Sequence, residues 1–263
     1  MTLWLGCTGA LLVVLLALGA PVLAPLDPEA IDLAARGNGP GLGHWLGTDR
    51  LGRDVLSRLV WGARISVFVG FVAAGLATAI GLCVGTVAGM APRAVDDLLS
   101  RLVDLALALP TFFLLVAVQS IFAQGAVSVA VVIGCTVWMA LARLARAQIL
   151  SLREREFVLA ARSLGCGSAR LMRVHLAPHL AGVALVFFAL TVADALLIEA
   201  ALSFLGLGVP PYAPSWGNML IDGQTSVLNG HWWVALFPGA AVVLAALSVN
   251  AIGDALERRV ARV

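Results

Sequence analysis

Residues 105–142 read LALALPTFFLLVAVQSIFAQGAVSVAVVIGCTVWMALA, 38 consecutive positions without Asp, Glu, Lys or Arg. A helix that crosses the hydrocarbon core of a bilayer needs roughly 20 predominantly apolar residues. This run is nearly twice that length, and Gln124-Gly125 near its middle offers a turn, so it predicts two spans. Working outward, four more charge-free stretches follow the same rule: residues 1–26, 65–92, 174–193 and 223–253. One span from each gives six, at about 3–23, 63–90, 99–122, 127–148, 180–205 and 233–256. The predicted fold class is all-α, a polytopic membrane helix bundle with about six transmembrane helices.

Composition agrees. Hydrophobic residues make up 61% of the chain and charged ones only 12%, against about 25% charged in a soluble domain. So little polar surface could not cover a water-exposed fold of this size, and the lipid bilayer is the expected solvent. The first apolar run, residues 3–26, is longer than a signal-peptide core and no positive charge precedes it, so we expect a retained helix. All 17 basic residues are arginine. Without lysine the chain has no phosphate-binding loop ending in Gly-Lys-Ser/Thr, which excludes ATP hydrolysis by that route. Cys7, Cys83 and Cys135 fall in spans and Cys166 in a polar connection. None stands in a CxxC or Cys/His cluster, so they read as small packing residues.

Arginine placement sets the expected orientation. The connection between spans four and five holds Arg143, Arg146, Arg153, Arg155, Arg162, Arg170 and Arg173, and the C-terminal tail holds Arg258, Arg259 and Arg262. The connection 205–232 holds none. The positive-inside rule then places 205–232 outside and, with six spans, both termini in the cytoplasm. Residues 26–64 run against the rule, carrying five arginines outside, although Asp27, Glu29, Asp32, Asp49 and Asp54 balance them. Within that segment Asp49/Arg53 and Arg50/Asp54 stand at helical i,i+4 spacing and can pair.

In span two, Gly81, Gly85 and Gly89 share one helix face, which we read as a close-packing surface for a neighbouring helix. Asp194 and Glu199 lie in or near span five, where a carboxylate is expensive and turns toward the bundle interior. They can line a solute path or hold helices together, and helix pairing is the expected role. Asp104 beside Arg101 reads as a helix-end residue. His175 and His179 are four apart, but Pro178 lies between them and no third ligand is near, so no metal site is expected. His44 and His231 are isolated. Trp45, Trp216, Trp232 and Trp233 fall near span ends, as interfacial anchors do. Basic residues confined to membrane edges give no support for nucleic-acid binding, and no Ser/His/Asp arrangement suggests a hydrolase.

The most informative polar segment is Ser151–Leu180, SLREREFVLAARSLGCGSARLMRVHLAPHL. Its periodicity predicts a short helix, a break at Gly165 and Gly167, and a second short helix before Pro178. Glu156 and Ala160 share a face. An amphipathic helix lying on the membrane surface would give the same pattern. The run Glu156, Ala160, Ala161, Gly165 and Pro178 resembles the "EAA" loop of binding-protein-dependent ABC importer permeases, although Leu176-Ala177-Pro178 stands where Leu-Pro is commoner. Two further stretches are similar to the dipeptide, oligopeptide and nickel group of that family. One is His44-Trp45-Leu46-Gly47-Thr48-Asp49-Arg50-Leu51-Gly52-Arg53-Asp54 with Ser57-Arg58 and Gly62-Ala63-Arg64; the other is Glu199–Gly208 with Pro214-Ser215-Trp216-Gly217.

The resemblance implies a type I ABC importer permease fold, the second permease of a heterodimeric pair. It implies two ATP-binding-cassette ATPase domains, an extracytoplasmic solute-binding protein and a bacterial or archaeal plasma membrane. It also implies that no cofactor binds this chain and that ATP and magnesium would belong to the partner ATPase. Residues 1–62 would form a first helix with an external segment and 63–263 the core, with the coupling loop at 149–179. Within that loop Glu156 would make a charge contact with the ATPase, Ala160 and Ala161 the docking face and Gly165 the turn, with Arg162 a further coupling residue. Asp49, Arg53 and Asp54 would either face the receptor or pair among themselves. Peptides are the expected solute, with nickel complexes second. An ion-coupled secondary transporter using Asp104, Asp194 and Glu199 is the competing class, and a scaffold without transport a third.

Overall fold

A computed structural model describes residues 2–260, with side chains over 4–258. The charge-free stretches are helical almost throughout. In order come α1 (Thr2–Leu23), a loop with one 3-10 turn at Leu33–Ala35, α2 (Val55–Met90), α3 (Arg93–Ala108), α4 (Thr111–Gln119), α5 (Ala126–Val137) and α6 (Met139–Arg153). Then follow α7 (Glu156–Ser163), α8 (Ser168–Leu171), a π turn at Met172–Leu176, α9 (Ala177–Phe204), α10 (Trp216–Val227) and α11 (Trp233–Val260). Among the described residues, five helices are long and apolar enough to cross a membrane, and six if the bent pair α3–α4 counts as one.

That bent pair corrects the expected single helix over 99–122. The chain turns by 88° between α3 and α4. Pro110 causes it: proline lacks the N–H for the helical ladder and its ring pushes the preceding residue out of the α region. Leu109 is accordingly extended, at φ −81 and ψ 135. The turn expected at Gln124-Gly125 lies between α4 and α5.

The hub is α2, 36 residues long, about 54 Å at 1.5 Å per residue and well beyond a ~30 Å hydrocarbon core. It begins eight positions before the expected residue 63, because Asp54 Oδ2 accepts a hydrogen bond from Ser57 N at 2.7 Å and caps it. Residues 55–62, expected in the external segment, are the first two turns of α2. Val13 and Ala17 of α1 share one core with Val55, Ala63, Leu196, Trp216 and Val242. The glycine face of α2 packs against α6: a Cβ at Gly81 would lie 2.8 Å from Leu141 Cβ, and one at Gly89 2.8 Å from Ile149 Cβ.

The segment between α1 and α2 forms a lid over one end of the bundle, opposite α7. It is held by Thr48 N donating to Asn38 O (2.9 Å), Val55 N to Gly47 O (3.0 Å) and Trp233 Nε1 to Thr48 O (3.0 Å). The connection 205–232, expected as a plain loop, contains α10, whose Trp216, Asn218 and Met219 are buried. Two of the four expected interfacial tryptophans are thus interior. Trp216 and Trp233 are 1% and 8% exposed, each indole N–H satisfied by a backbone carbonyl. Trp45 and Trp232 are exposed.

Candidate functional site

At one end of the bundle α7 stands out on a short stalk. Its base is a buried cluster in which Val158 packs with Ile149, Leu152, Leu171, Leu176 and Leu180. Arg153 Nη1 donates to Gly89 O at 2.8 Å and ties the end of α6 to the end of α2. The helix ends in a Schellman cap: Cys166 N donates to Ala161 O (3.0 Å) and Gly165 N to Arg162 O (2.9 Å). Gly165 sits at φ +83, the left-handed conformation such a cap demands.

Burial then sorts the expected docking residues. Glu156, Ala160, Arg162 and Gly165 are exposed, whereas Ala161 turns inward against the basal cluster together with Cys166. Ala161 is a positioning residue of the cap rather than part of the open face. The face has an apolar member that the pattern did not single out, Leu164, 89% exposed at the tip. Phe157 lies 6.3 Å from His175 and 5.7 Å from His179, ring centre to ring centre, so both histidines pack against α7.

The opposite end holds an ionic cluster under the lid. Arg53 Nε donates to Asp49 Oδ2 at 2.6 Å, and Arg53 Nη2 donates to Asp222 Oδ2 of α10 at 2.7 Å. Arg50 lies 3.4 Å and Arg58 3.7 Å from the Asp222 carboxylate. Asp49 also accepts from Leu51 N and Arg53 N. The expected Asp49/Arg53 pair exists, but on a tight turn rather than a helix. The expected Arg50/Asp54 pair does not: Arg50 reaches Asp222, and Asp54 caps α2 with His44 Nδ1 3.0 Å away. Asp49, Arg53 and Asp54 are 2%, 5% and 3% exposed. Their side chains are engaged inside the protein, where they shape the lid. Asp222 is the member that sequence reasoning missed, being 169 residues from Arg53.

Glu199 and Asp194 separate sharply. Glu199 is fully buried; Ser66 Oγ donates to its Oε2 at 3.1 Å and Ser203 Oγ to its Oε1 at 3.0 Å. Ser66 Oγ in turn accepts from Trp216 N at 3.3 Å, so the carboxylate joins α9, α2 and α10. This is the expected helix-holding role. Glu199→Ala is expected to cost about 1–3 kcal/mol, since two buried hydroxyl donors lose their acceptor. Glu199→Gln, which keeps an acceptor in place, is expected to unfold within a few degrees of wild type. Thermal unfolding in detergent separates the two, and equal losses would show that the charge itself is needed.

Asp194 has no such partner. Among the described residues no hydrogen bond or ion pair engages it, and its side chain opens into a cavity of about 380 Å³ between α9, the α3–α4 elbow and the α5–α6 junction. Helix pairing, expected for both carboxylates, holds for Glu199 alone. Asp104 is likewise more than a helix-end residue: its carboxylate pairs with Arg143 across α3 and α6.

The molecule is thus a bundle of long apolar helices with a projecting short helix at one end, an ion-paired lid at the other and an open carboxylate between them. Residues 81–262 match the family model "Binding-protein-dependent transport system inner membrane component", and the chain belongs to that family. A Brucella suis protein provisionally named a peptide permease is 46% identical over 237 residues, covering 90% of this chain and 78% of its own. The oligopeptide transport system permease of Bacillus subtilis is 36% identical, covering 93% and 80%. The di/tripeptide transport system permease of Pseudomonas aeruginosa is 37% identical, covering 94% and 83%. A chain from inward-facing structures of the MetNI methionine ABC transporter shares the fold, with TM-score 0.62 at 20% identity over 78% of this chain and 95% of that one. The multi-pass architecture and the family together make this an inner-membrane component.

Proposed function

We propose that this chain is one of two homologous permeases in an ATP-driven peptide importer, with both termini and α7 in the cytoplasm and the lid outside. Its bacterial relatives with named peptide transport systems are 36–37% identical over nine-tenths of the chain. The observation that carries the coupling half of the proposal is α7. Its outer face is unpartnered, while Val158 on its inner face is fully buried in the end of the bundle. Force applied to α7 therefore reaches α2, α6 and α9 through packed side chains rather than through a slack loop.

A separate ATPase, holding ATP and magnesium, would grip Glu156, Ala160, Arg162 and Leu164. Closure of two ATPase domains would move the two α7 knobs as rigid bodies and alternate access to the path between the permeases. This chain, lacking lysine, has no Gly-Lys-Ser/Thr phosphate loop of its own, and hydrolysis would fall to that ATPase. An extracytoplasmic binding protein would deliver the solute at the lid.

Reconstitution of the chain with its second permease, ATPases and binding protein in liposomes tests the reading. Accumulation of a radiolabelled dipeptide is expected only with enclosed ATP and with the binding protein present. Uptake that ignores ATP and collapses with an uncoupler would transfer the chain to ion-coupled transport.

A further inference from the structure

Asp194 stands 17 residues after the start of α9 and 10 before its end, well inside the candidate span 168–204. A carboxylate there cannot face lipid cheaply, so it must meet water, protein or solute. The cavity that it lines is bounded where helices break, at the Pro110 elbow and near Trp138 between α5 and α6. Irregular backbone at membrane depth is tolerated where it is buried in protein or borders an aqueous cavity.

The polar side chains on this wall are few. Besides Asp194 they are the hydroxyls of Thr111, Thr136 and Thr191. Thr136 spends its proton on Val132 O at 2.6 Å, which leaves its oxygen free only to accept. The cavity residues include no arginine, histidine or amide side chain. Arg143, one turn beyond Ala140, is committed to Asp104. The wall thus offers one carboxylate and three hydroxyl oxygens that can accept, with apolar Leu107 and Phe187 beside them. An ammonium group, with three donors and one positive charge, is its chemical complement.

Resting on the peptide-permease reading, we infer that Asp194 holds the protonated α-amine of the peptide in transit, with Thr136 and Thr191 as further acceptors. The apolar remainder contacts peptide side chains without selecting among them. A volume of about 380 Å³ suits the first residue of a peptide rather than a whole oligopeptide, small-molecule sites running from roughly 300 to 1,000 Å³.

The test measures ATP-driven uptake of Ala-Ala and N-acetyl-Ala-Ala by the reconstituted complex, for wild type, Asp194→Asn and Asp194→Glu. Asp194→Asn is expected to lower Ala-Ala uptake about tenfold or more. It is also expected to collapse the preference for the free amine, while the ATPase activity stimulated by binding protein persists. Asp194→Glu restores most of both. An unchanged preference in Asp194→Asn overturns the inference and leaves the importer reading intact. Failure of Asp194→Asn to co-purify with the second permease also overturns it, assigning the carboxylate to a cation on that subunit. A wild-type complex that accumulates neither peptide overturns the function and this inference together.

Discussion

Gly165→Asp is expected to abolish ATP-driven uptake while the chain inserts at wild-type abundance. Gly165 occupies the αL position of the cap at φ +83, where a residue with a Cβ loses roughly 1–2 kcal/mol. A carboxylate at a helix C-terminus adds repulsion from the macrodipole, about 0.3–1 kcal/mol. No atom lies within 4 Å of a Cβ built there, so the bundle itself feels no collision. The damage stays in the last turn of α7, which carries Ala160, Arg162 and the exposed Leu164. On docking to the proposed ATPase, a new charge at this face would also be desolvated without a partner. Together these losses predict uptake at least about tenfold down, the scale of a hot-spot residue.

Gly167 supplies the matched control. It too has open space around a Cβ, but its φ is −68 and it is the N-cap of α8 without a side-chain hydrogen bond. Aspartate is favoured at an N-cap, so Gly167→Asp should transport at near wild-type rate. Uptake per unit of membrane protein, with abundance from immunoblots, compares the pair. Normal uptake by Gly165→Asp at full abundance would remove α7 as the coupling element.

The same contrast between local and distant chemistry explains which features could be read without coordinates. Runs lacking charge announce membrane helices because lipid tolerates little else, and the α7 cap is written in a dozen adjacent residues. The elbow at Pro110 escaped because hydropathy integrates over some 20 residues and is blind to a single missing N–H. The inward turn of Ala161 could not be told from Ala160, since adjacent alanines differ only in direction. Asp194 and Glu199, five apart, looked alike as carboxylates in one span. What divides them is Ser66, 133 residues from Glu199 and brought to it by packing of α2 on α9. The ionic cluster was half legible, Asp49 and Arg53 being neighbours, while its keystone came from α10.

That keystone yields the largest stability effect expected. Asp222 accepts a hydrogen bond from Arg53 and lies within 4 Å of Arg50 and Arg58, at 3.4 and 3.7 Å. Asp222→Asn keeps the shape but leaves the buried Arg53 and Arg58 sharing the carboxylate of Asp49. Arg53 and Arg58 side chains are 7% and 1% exposed, so water cannot screen them, and Arg58 Nη2 already lacks a hydrogen-bond partner. Removing one member of a buried ion pair costs about 3–5 kcal/mol, because the remaining charge stays desolvated. For a chain of this size each kcal/mol lowers the unfolding midpoint by roughly 2–4 °C, which predicts a drop on the order of 10 °C in detergent. The double variant Arg53→Met/Asp222→Leu removes a cation along with the anion. It should fall short of the sum of the two single losses, because neither charge is then left facing a vacant partner. Strict additivity would mean that Arg53 and Asp222 merely sit close together. A coupling between them would show instead that the lid is locked to α10 by charge.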